Sequence, residues 1–280
     1  IIMPDNLNSI GSSVFWGCEK LDNVIIPDGV TNIGKHAFFG CEELKNIVFP
    51  NKLKNIGPDA FSGCTGLKSI NLPAGVESIG SGAFGACKGI TSISIPKSIK
   101  SVGSYVFSSC TSLTSVTIPS NIASIDRGAF YGCEGLINIF IHKNVKNIGD
   151  SAFENCNRLN GIYYGGSGSD WRKIHIGELN EKLTSSVINY NSYPEITVTA
   201  VKKSAAVSVS YKSECISQPA KVFVVGYKDG KIIDKRITDE KEGVQTLDGV
   251  FDEIKVMVWS DFGTLAPLAD SVVLADKDWQ

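Results

Sequence analysis

The sequence predicts a mainly β protein with short helical turns, built as a solenoid of about seven 23-residue coils and followed by a small β-sandwich domain. Cys18, Cys41, Cys64, Cys87, Cys110, Cys133 and Cys156 stand 23 residues apart. Phe15, Phe38, Phe61, Phe84, Phe107, Phe130 and Phe153 keep the same step three residues earlier. A fixed period of this length means that every coil fills the same place in one continuous core. After Tyr193-Pro194 the period is lost, and short runs of alternating apolar residues replace it.

Aligned on residues 24–46, the coils share the pattern I-x-I-P-x-x-V-x-N-I-G-x-x-A-F-x-G-C-x-x-L-x-N. From Asn46 onward the chain alternates, with Ile47 and Phe49 on one face, and a period of two reads as a short strand. Pro27, Pro50, Pro73, Pro96 and Pro119 end these strands, because proline cannot donate to a ladder. An apolar pair such as Val30 and Ile33 follows, and then Gly34, Gly57 or Gly80 turns the chain. Lys35-His36-Ala37-Phe38 has the length of one helical turn before Gly40-Cys41. Stacked coils lie roughly 4.8 Å apart, as neighbouring strands do. Equivalent residues therefore form columns, among them Leu21, Leu44, Leu67, Ile90, Leu113, Leu136 and Leu159. Each buried phenylalanine ring is expected to stabilise by about 1.5–3 kcal/mol relative to exposure.

Two polar columns accompany the apolar ones. Ser9, Asn32, Asn55, Ser78, Ser101, Ser124 and Asn147 form the first, and Asn23, Asn46, Ser69, Ser92, Ser115 and Asn138 the second, which Gly161 breaks. They read either as a polar binding track or as side chains bonding to the backbone of the next coil.

The order I-P, I-G, A-F and C-x-x-L within 23 residues resembles the bacterial BspA-like, or Treponema-pallidum-type, class of leucine-rich repeat, over residues 1–164. The departures are Ile90 for leucine, Asp126 for the turn glycine, and His142 for proline, where irregular geometry is expected. The resemblance implies a surface-exposed or secreted bacterial protein associated with adhesion and partner contact. It implies no enzymatic activity, cofactor or catalytic residue. Ile1-Ile2-Met3-Pro4 matches Val24-Ile25-Ile26-Pro27, so the chain opens inside a repeat, and a targeting signal is expected upstream.

Residues 165–191 read as a cap and linker. Tyr163 to Trp171 resembles the piece that closes such arrays, and Trp171, Ile174 and Ile176 are placed to cover the last coil. Residues 192–280 read as an immunoglobulin-like or fibronectin-like sandwich. Its strand candidates are Ile196 to Val201, Ala206 to Tyr211, Val222 to Tyr227, Lys231 to Ile237 and Ile254 to Trp259, with a hairpin at Lys228-Asp229-Gly230-Lys231. The last of these, with Leu265-Ala266-Pro267-Leu268, resembles small β-domains appended to secreted clostridial-type proteins. Cys215 has no partner there, so the antibody-type disulfide is absent.

Composition and charge narrow the function. Hydrophobic residues make up 42% of the chain, as in a folded soluble protein, and no apolar run is long enough to span a bilayer. The net charge is −2, about +1 before residue 191 and −3 after it, without the basic patch that nucleic acid requires. The column cysteines have parallel Cβ vectors and no C-x₂-C spacing, which disfavours disulfides and zinc and favours buried thiols acting as small hydrophobes. Of His36, His142 and His175, only His36 lies near a thiol, Cys41, and that cysteine belongs to the column.

Outward positions on the concave strand sheet are Ile25, Val48, Asn71, Ser94, Thr117, Phe140 and Tyr163. Asn71, Ser94, Thr117, Phe140 and Tyr163 are the candidate contacts for a protein or carbohydrate partner at a cell or host surface, with Phe140 and Tyr163 as aromatic anchors. Coverage of those two rings by the cap or the C-terminal domain would favour the other reading, a stalk presenting an upstream domain.

Overall fold

The computed structural model describes residues 3–191 and, beyond them, seven strands between residues 195 and 275. Two units divide the chain, Ile1–Tyr190 and Asn191–Gln280. Ile1 and Ile2, Cys215, Asp229-Gly230 and Leu265 to Leu268, on which four of the expectations rest, lie outside the described residues.

Each coil of the first unit contributes one strand to each of two parallel sheets, the first hydrogen-bonded in three pieces and the second in two. The first sheet is built from Asn23–Ile25, Asn46–Val48, Ser69–Asn71, Ser92–Ser94, Ser115–Ile118, Asn138–Ile141, Gly161–Tyr164 and Ile188–Tyr190. The second is built from two-residue strands: Ser9–Ile10, Asn32–Ile33, Asn55–Ile56, Ser78–Ile79, Ser101–Val102, Ser124–Ile125, Asn147–Ile148 and His175–Ile176. Register steps by the sequence period, Asn32 opposite Asn55 and Asn55 opposite Ser78. The period thus fixes which residues stack, and the columns of the sequence become columns in space.

The third side of the coil differs from expectation. Where one helical turn is predicted, the chain makes successive reverse turns, with Ala37 N–H donating to Gly34 O at 3.3 Å and Cys41 N–H to Phe38 O at 3.2 Å. The third residue of each, His36 and Gly40, has positive φ, as a type II turn requires. Between them the backbone bonds to the next coil, Phe38 N–H to Ala60 O at 2.7 Å and Gly40 N–H to Ser62 O at 2.8 Å. A helix would turn those groups inward and forfeit this third ladder. Gly34 and Gly57 do not themselves reverse the chain: a Cβ on Gly34 would stand 2.6 Å from Ser12 N, so the glycine serves close approach of coil to coil. His142 keeps a regular turn, since Val145 N–H donates to His142 O at 3.1 Å as Val30 N–H does to Pro27 O at 3.0 Å. The turn itself is regular, and His142 adds what proline cannot, its N–H donating to Ile118 O at 3.3 Å and its Nδ1 accepting from Asn144 N–H at 3.1 Å.

The phenylalanine column is a continuous stack from Phe15 to Phe153, with ring centroids 5.0–5.9 Å apart and planes within 16°. Leu44, Leu67, Ile90, Leu113 and Leu136 are fully buried beside it. The polar columns bond side chain to side chain: Asn46 Nδ2 to Asn23 Oδ1 at 2.9 Å, Asn55 Nδ2 to Asn32 Oδ1 at 2.6 Å, and Ser78 Oγ to Asn55 Oδ1 at 2.7 Å. This corrects the expected bonding to backbone. In-register amides one strand spacing apart complement each other, and the backbone acceptors are reached instead by neighbouring threonines, such as Thr31 Oγ1 to Asn8 O at 3.3 Å.

At the far end, a longer loop replaces the next coil. His175–Ile176 and Ile188–Tyr190 add a strand to each sheet, while Trp171, Ile174 and Leu183 join the core and Trp171 meets Tyr164 edge-on at 5.1 Å. Asn180, not singled out by the sequence reading, completes the turn-side ladder. In earlier coils each column phenylalanine donates its N–H to the next coil's carbonyl, Phe130 to Ala152 O at 2.9 Å. Phe153 donates to Asn180 Oδ1 at 3.0 Å, while Asn180 Nδ2 donates to Gly149 O, Gly177 O and Glu178 O at 2.9–3.2 Å.

In the second unit, seven antiparallel strands form two sheets. Glu195–Lys203, Ala206–Glu214 and Glu242–Asp248 pair in that order. Lys231–Thr238, Lys221–Lys228, Glu253–Trp259 and Val272–Ala275 pair in theirs. Lys228 lies opposite Lys231, as the hairpin predicted there requires.

Candidate functional site

The outward column of the first sheet carries the candidate contacts, because alternation along each strand sends the residue between two core residues to the other face. Its exposure is high at Ile25 and lowest at Phe140. Ile25 is 69% exposed and Val48 58%, directly paired in register. Asn71 and Ser94 are exposed and paired with each other, Thr117 and Tyr163 are half-buried, and Phe140 is only 7% exposed.

Phe140 is therefore not the open aromatic anchor that the sequence predicts. The register Thr117, Phe140, Tyr163 stacks its ring face to face on Tyr163, with centroids 4.7 Å apart and planes 13° from parallel. Each ring covers a face of the other, and Phe140 stays outside the continuous core. The five candidates also fall on two separate pieces of sheet: Asn71 and Ser94 on one, Thr117, Phe140 and Tyr163 on the other. The most exposed apolar part of the column, Ile25 and Val48, was legible by position but masked by the larger aromatic residues further on.

The turn side carries a second exposed group. Trp16, 57% exposed, lies 5.1 Å from His36 and 5.5 Å from Phe39 by ring centroids, and His36 Nε2 is 3.5 Å from Asp59 Oδ2.

The cysteines are not chemistry in waiting. Cys41 to Cys156 are buried, and each thiol donates to the carbonyl of the phenylalanine 26 residues earlier at 3.1–3.4 Å. Burial, followed for most of them by the neighbouring thiol, raises their pKa: to about 11 for Cys41, to about 12 for Cys156, and well above the free value for those between. A thiol held protonated is neither a nucleophile nor a metal ligand. Cys18 alone of the column is exposed. Among the described residues no three His, Cys, Asp or Glu side chains gather as a metal site requires, and no helix is long and apolar enough to cross a membrane.

The pattern described as the BspA type leucine rich repeat region matches in six copies, over residues 1–90 and 78–204. The chain belongs to the BspA-type leucine-rich repeat family. Among solved structures, it is similar to the T. pallidum leucine-rich repeat protein, at 29% identity and a TM-score of 0.54, over 63% of this chain and 84% of that one. A leucine-rich cell surface protein from Faecalibacterium prausnitzii is 33% identical, with a TM-score of 0.47, over 61% of this chain and 55% of that one. A leucine-rich repeat protein from Bacteroides ovatus is 26% identical, with a TM-score of 0.48, over 66% of this chain and 59% of that one. No curated protein matches the chain significantly. BspA-type repeats are commonly found in surface proteins that interact with other proteins, and their solenoid is typically a scaffold rather than a catalyst.

Proposed function

We propose that this BspA-type protein acts at the cell surface or after secretion, binding a protein partner through the outward column of its first sheet. The observation that carries the reading is the directly paired, exposed Ile25 and Val48, followed in the next two coils by the exposed polar pair Asn71 and Ser94. An apolar anchor bordered by polar groups is the composition of a protein interface. Thr117 and Tyr163 extend the strip, and Phe140 supports Tyr163 from behind its ring. The division into a repeat array of residues 1–164, a cap and linker of 165–191 and a sandwich of 192–280 is part of the proposal. Support for an immunoglobulin-like or fibronectin-like sandwich comes from its pairing order, first-second-fifth and fourth-third-sixth-seventh strand.

The test is binding of the whole chain to panels of extracellular matrix proteins and of glycans, with Ile25→Asp/Val48→Asp and Tyr163→Ala beside the wild type. A protein ligand whose affinity falls at least about tenfold with the double aspartate variant supports the reading. Binding of glycans alone, or binding untouched by either variant, rejects it. Absence of any ligand favours the second reading, a stalk that presents another domain.

A further inference from the structure

The solenoid is regular in sequence but not in its backbone bonding. Between residues 54–71 and 77–94, one period apart, all three ladders are complete: Glu77 N–H to Lys54 O at 2.8 Å and Gly80 N–H to Ile56 O at 2.8 Å flank the paired strands Asn55–Ile56 and Ser78–Ile79. The turns add Phe61 N–H to Ala83 O at 2.8 Å, and Ser69–Asn71 pairs with Ser92–Ser94. Residues 100–117 and 123–140 are equally well joined. Between 77–94 and 100–117 the two sheets are both interrupted. Ser78–Ile79 does not pair with Ser101–Val102, nor Ser92–Ser94 with Ser115–Ile118. Among the described residues, the backbone bonds left across this boundary are on the turn side: Gly82 to Ser104 O, Phe84 to Val106 O and Ala86 to Ser108 O, at 2.7–3.0 Å. The first sheet breaks once more, between Val48 and Asn71, but there the second sheet runs through.

Side chains mark the same boundary. The Phe84–Phe107 separation, 5.9 Å, is the largest in the stack, and the Cys110 thiol to Phe84 O distance, 3.4 Å, is the largest in the thiol series. A Cβ on Gly34, Gly57, Gly80 or Gly149 would lie 2.3–2.7 Å from the backbone of the preceding coil, whereas on Gly103 the nearest such atom, Ile79 O, is 3.4 Å away. A narrow apolar crevice opens there between Leu72, Ile79, Ile95, Ile99, Val102 and Val106. Val106 stands where Ala37, Ala60, Ala83, Ala129 and Ala152 stand in other coils, its Cγ2 3.2 Å from that Gly103 Cβ position. Its extra methyl groups fill space that the alanines leave for close approach. The Thr114 hydroxyl, buried without a partner, lies on the same boundary.

We infer that this boundary is a hinge: the coils before it and the coils after it rock as two blocks about the intact turn-side ladder of Gly82, Phe84 and Ala86. Opening breaks no sheet bond and, away from the turn side, strains only the bond from the Ser98 hydroxyl to Val76 O, while every other boundary would sacrifice at least one sheet ladder. Ser94 and Thr117 sit on opposite sides of it, so the motion alters the curvature of the outward column.

Amide hydrogen exchange on the whole chain tests it. Lys100, Gly103 and Thr114 are expected to exchange at least about tenfold faster than their equivalents Glu77, Gly80 and Thr91, while the axis amides of Phe84 and Ala86 stay as protected as Phe61 and Gly63. Trypsin gives a second readout with internal controls, since Lys54, Lys100 and Lys146 occupy the same place in three coils. Cutting at Lys100 ahead of the other two supports the hinge. Equal protection of Lys100, Gly103 and Thr114 and of their equivalents Glu77, Gly80 and Thr91, or equal cutting at the three lysines, including none at all, overturns it.

Discussion

Asn180→Ala tests how the array is closed. The side chain is buried and makes four hydrogen bonds, accepting from Phe153 N–H at 3.0 Å and donating to three carbonyls. Alanine leaves the Phe153 N–H without an acceptor in a dry place, which costs about 1–3 kcal/mol. Gly149 O retains Ala152 N–H at 3.3 Å, so the lost donors add less than the lost acceptor. A total of about 2–4 kcal/mol follows once the truncated packing is included. Asn180→Asp should be worse still. Its carboxylate can accept from Phe153, but it faces the Gly149, Gly177 and Glu178 carbonyls without a proton to offer. Urea unfolding followed by circular dichroism, with exchange at the Phe153 amide as the local probe, measures both. A loss under about 0.5 kcal/mol for the alanine variant, or an aspartate variant milder than the alanine one, would refute the reasoning.

Other outcomes follow from the same columns. Phe84→Ala should cost about 3–5 kcal/mol in urea unfolding, and clearly more than Phe15→Ala, because Phe84 is fully buried between two rings and Phe15 is half-buried with one. The column thiols ionise on unfolding near 9.0 but stay protonated in the fold, so their contribution is complete below that pH and is lost as pH rises toward the folded values. Each can remove up to about 1.4 kcal/mol per pH unit there, and a urea midpoint unchanged between pH 8 and pH 10 would contradict this. Gly128→Ala should destabilise by roughly 1–2 kcal/mol, because Gly128 has φ near +61° and a Cβ would run into the Tyr105 ring. The penalty should shrink in a Tyr105→Ser background, which a double-mutant cycle reads directly.

Much of the fold is written in the columns because a period leaves few choices. Phe61 and Cys64 must repeat the environment of Phe38 and Cys41, so their burial follows from register alone. The turn side was less legible. Lys35-His36-Ala37-Phe38 has helical length and composition, yet two positions of each coil are left-handed: one column holds Ser13, His36, Asp59, Gly82, Tyr105, Gly128 and Ser151, the other Gly17, Gly40, Gly63, Ala86, Ser109, Gly132 and Asn155. Glycine recurring in the second column, with Asn155 at its end, is the signal that speaks for turns rather than helix, and the first column, of mixed residues, gives none. The second sheet was missed because two residues are too few to show alternation. Asn180 and the broken boundary share a different obstacle: each depends on what an adjacent coil lacks, and that is visible only when the coils are stacked.

The same regularity bears on where partner recognition can reside. A core column that must stack on itself cannot vary without disturbing both neighbours, so Phe, Leu and Cys repeat with little freedom. The outward column of the first sheet stacks without a core to fill, and from Ile25 through Val48, Asn71, Ser94, Thr117 and Phe140 to Tyr163 it holds seven different residues. Such a series contributes little to folding but gives each coil a distinct face. Where two of its members are large and adjacent they satisfy each other, as Phe140 and Tyr163 do, and part of their surface is withdrawn from a partner. Ile25 and Val48, aliphatic and side by side, cannot stack in this way and keep their surface in solvent. The apolar area available to a partner is therefore set by side-chain shape as much as by hydrophobicity, and it lies at the opposite end of the column from its largest residues.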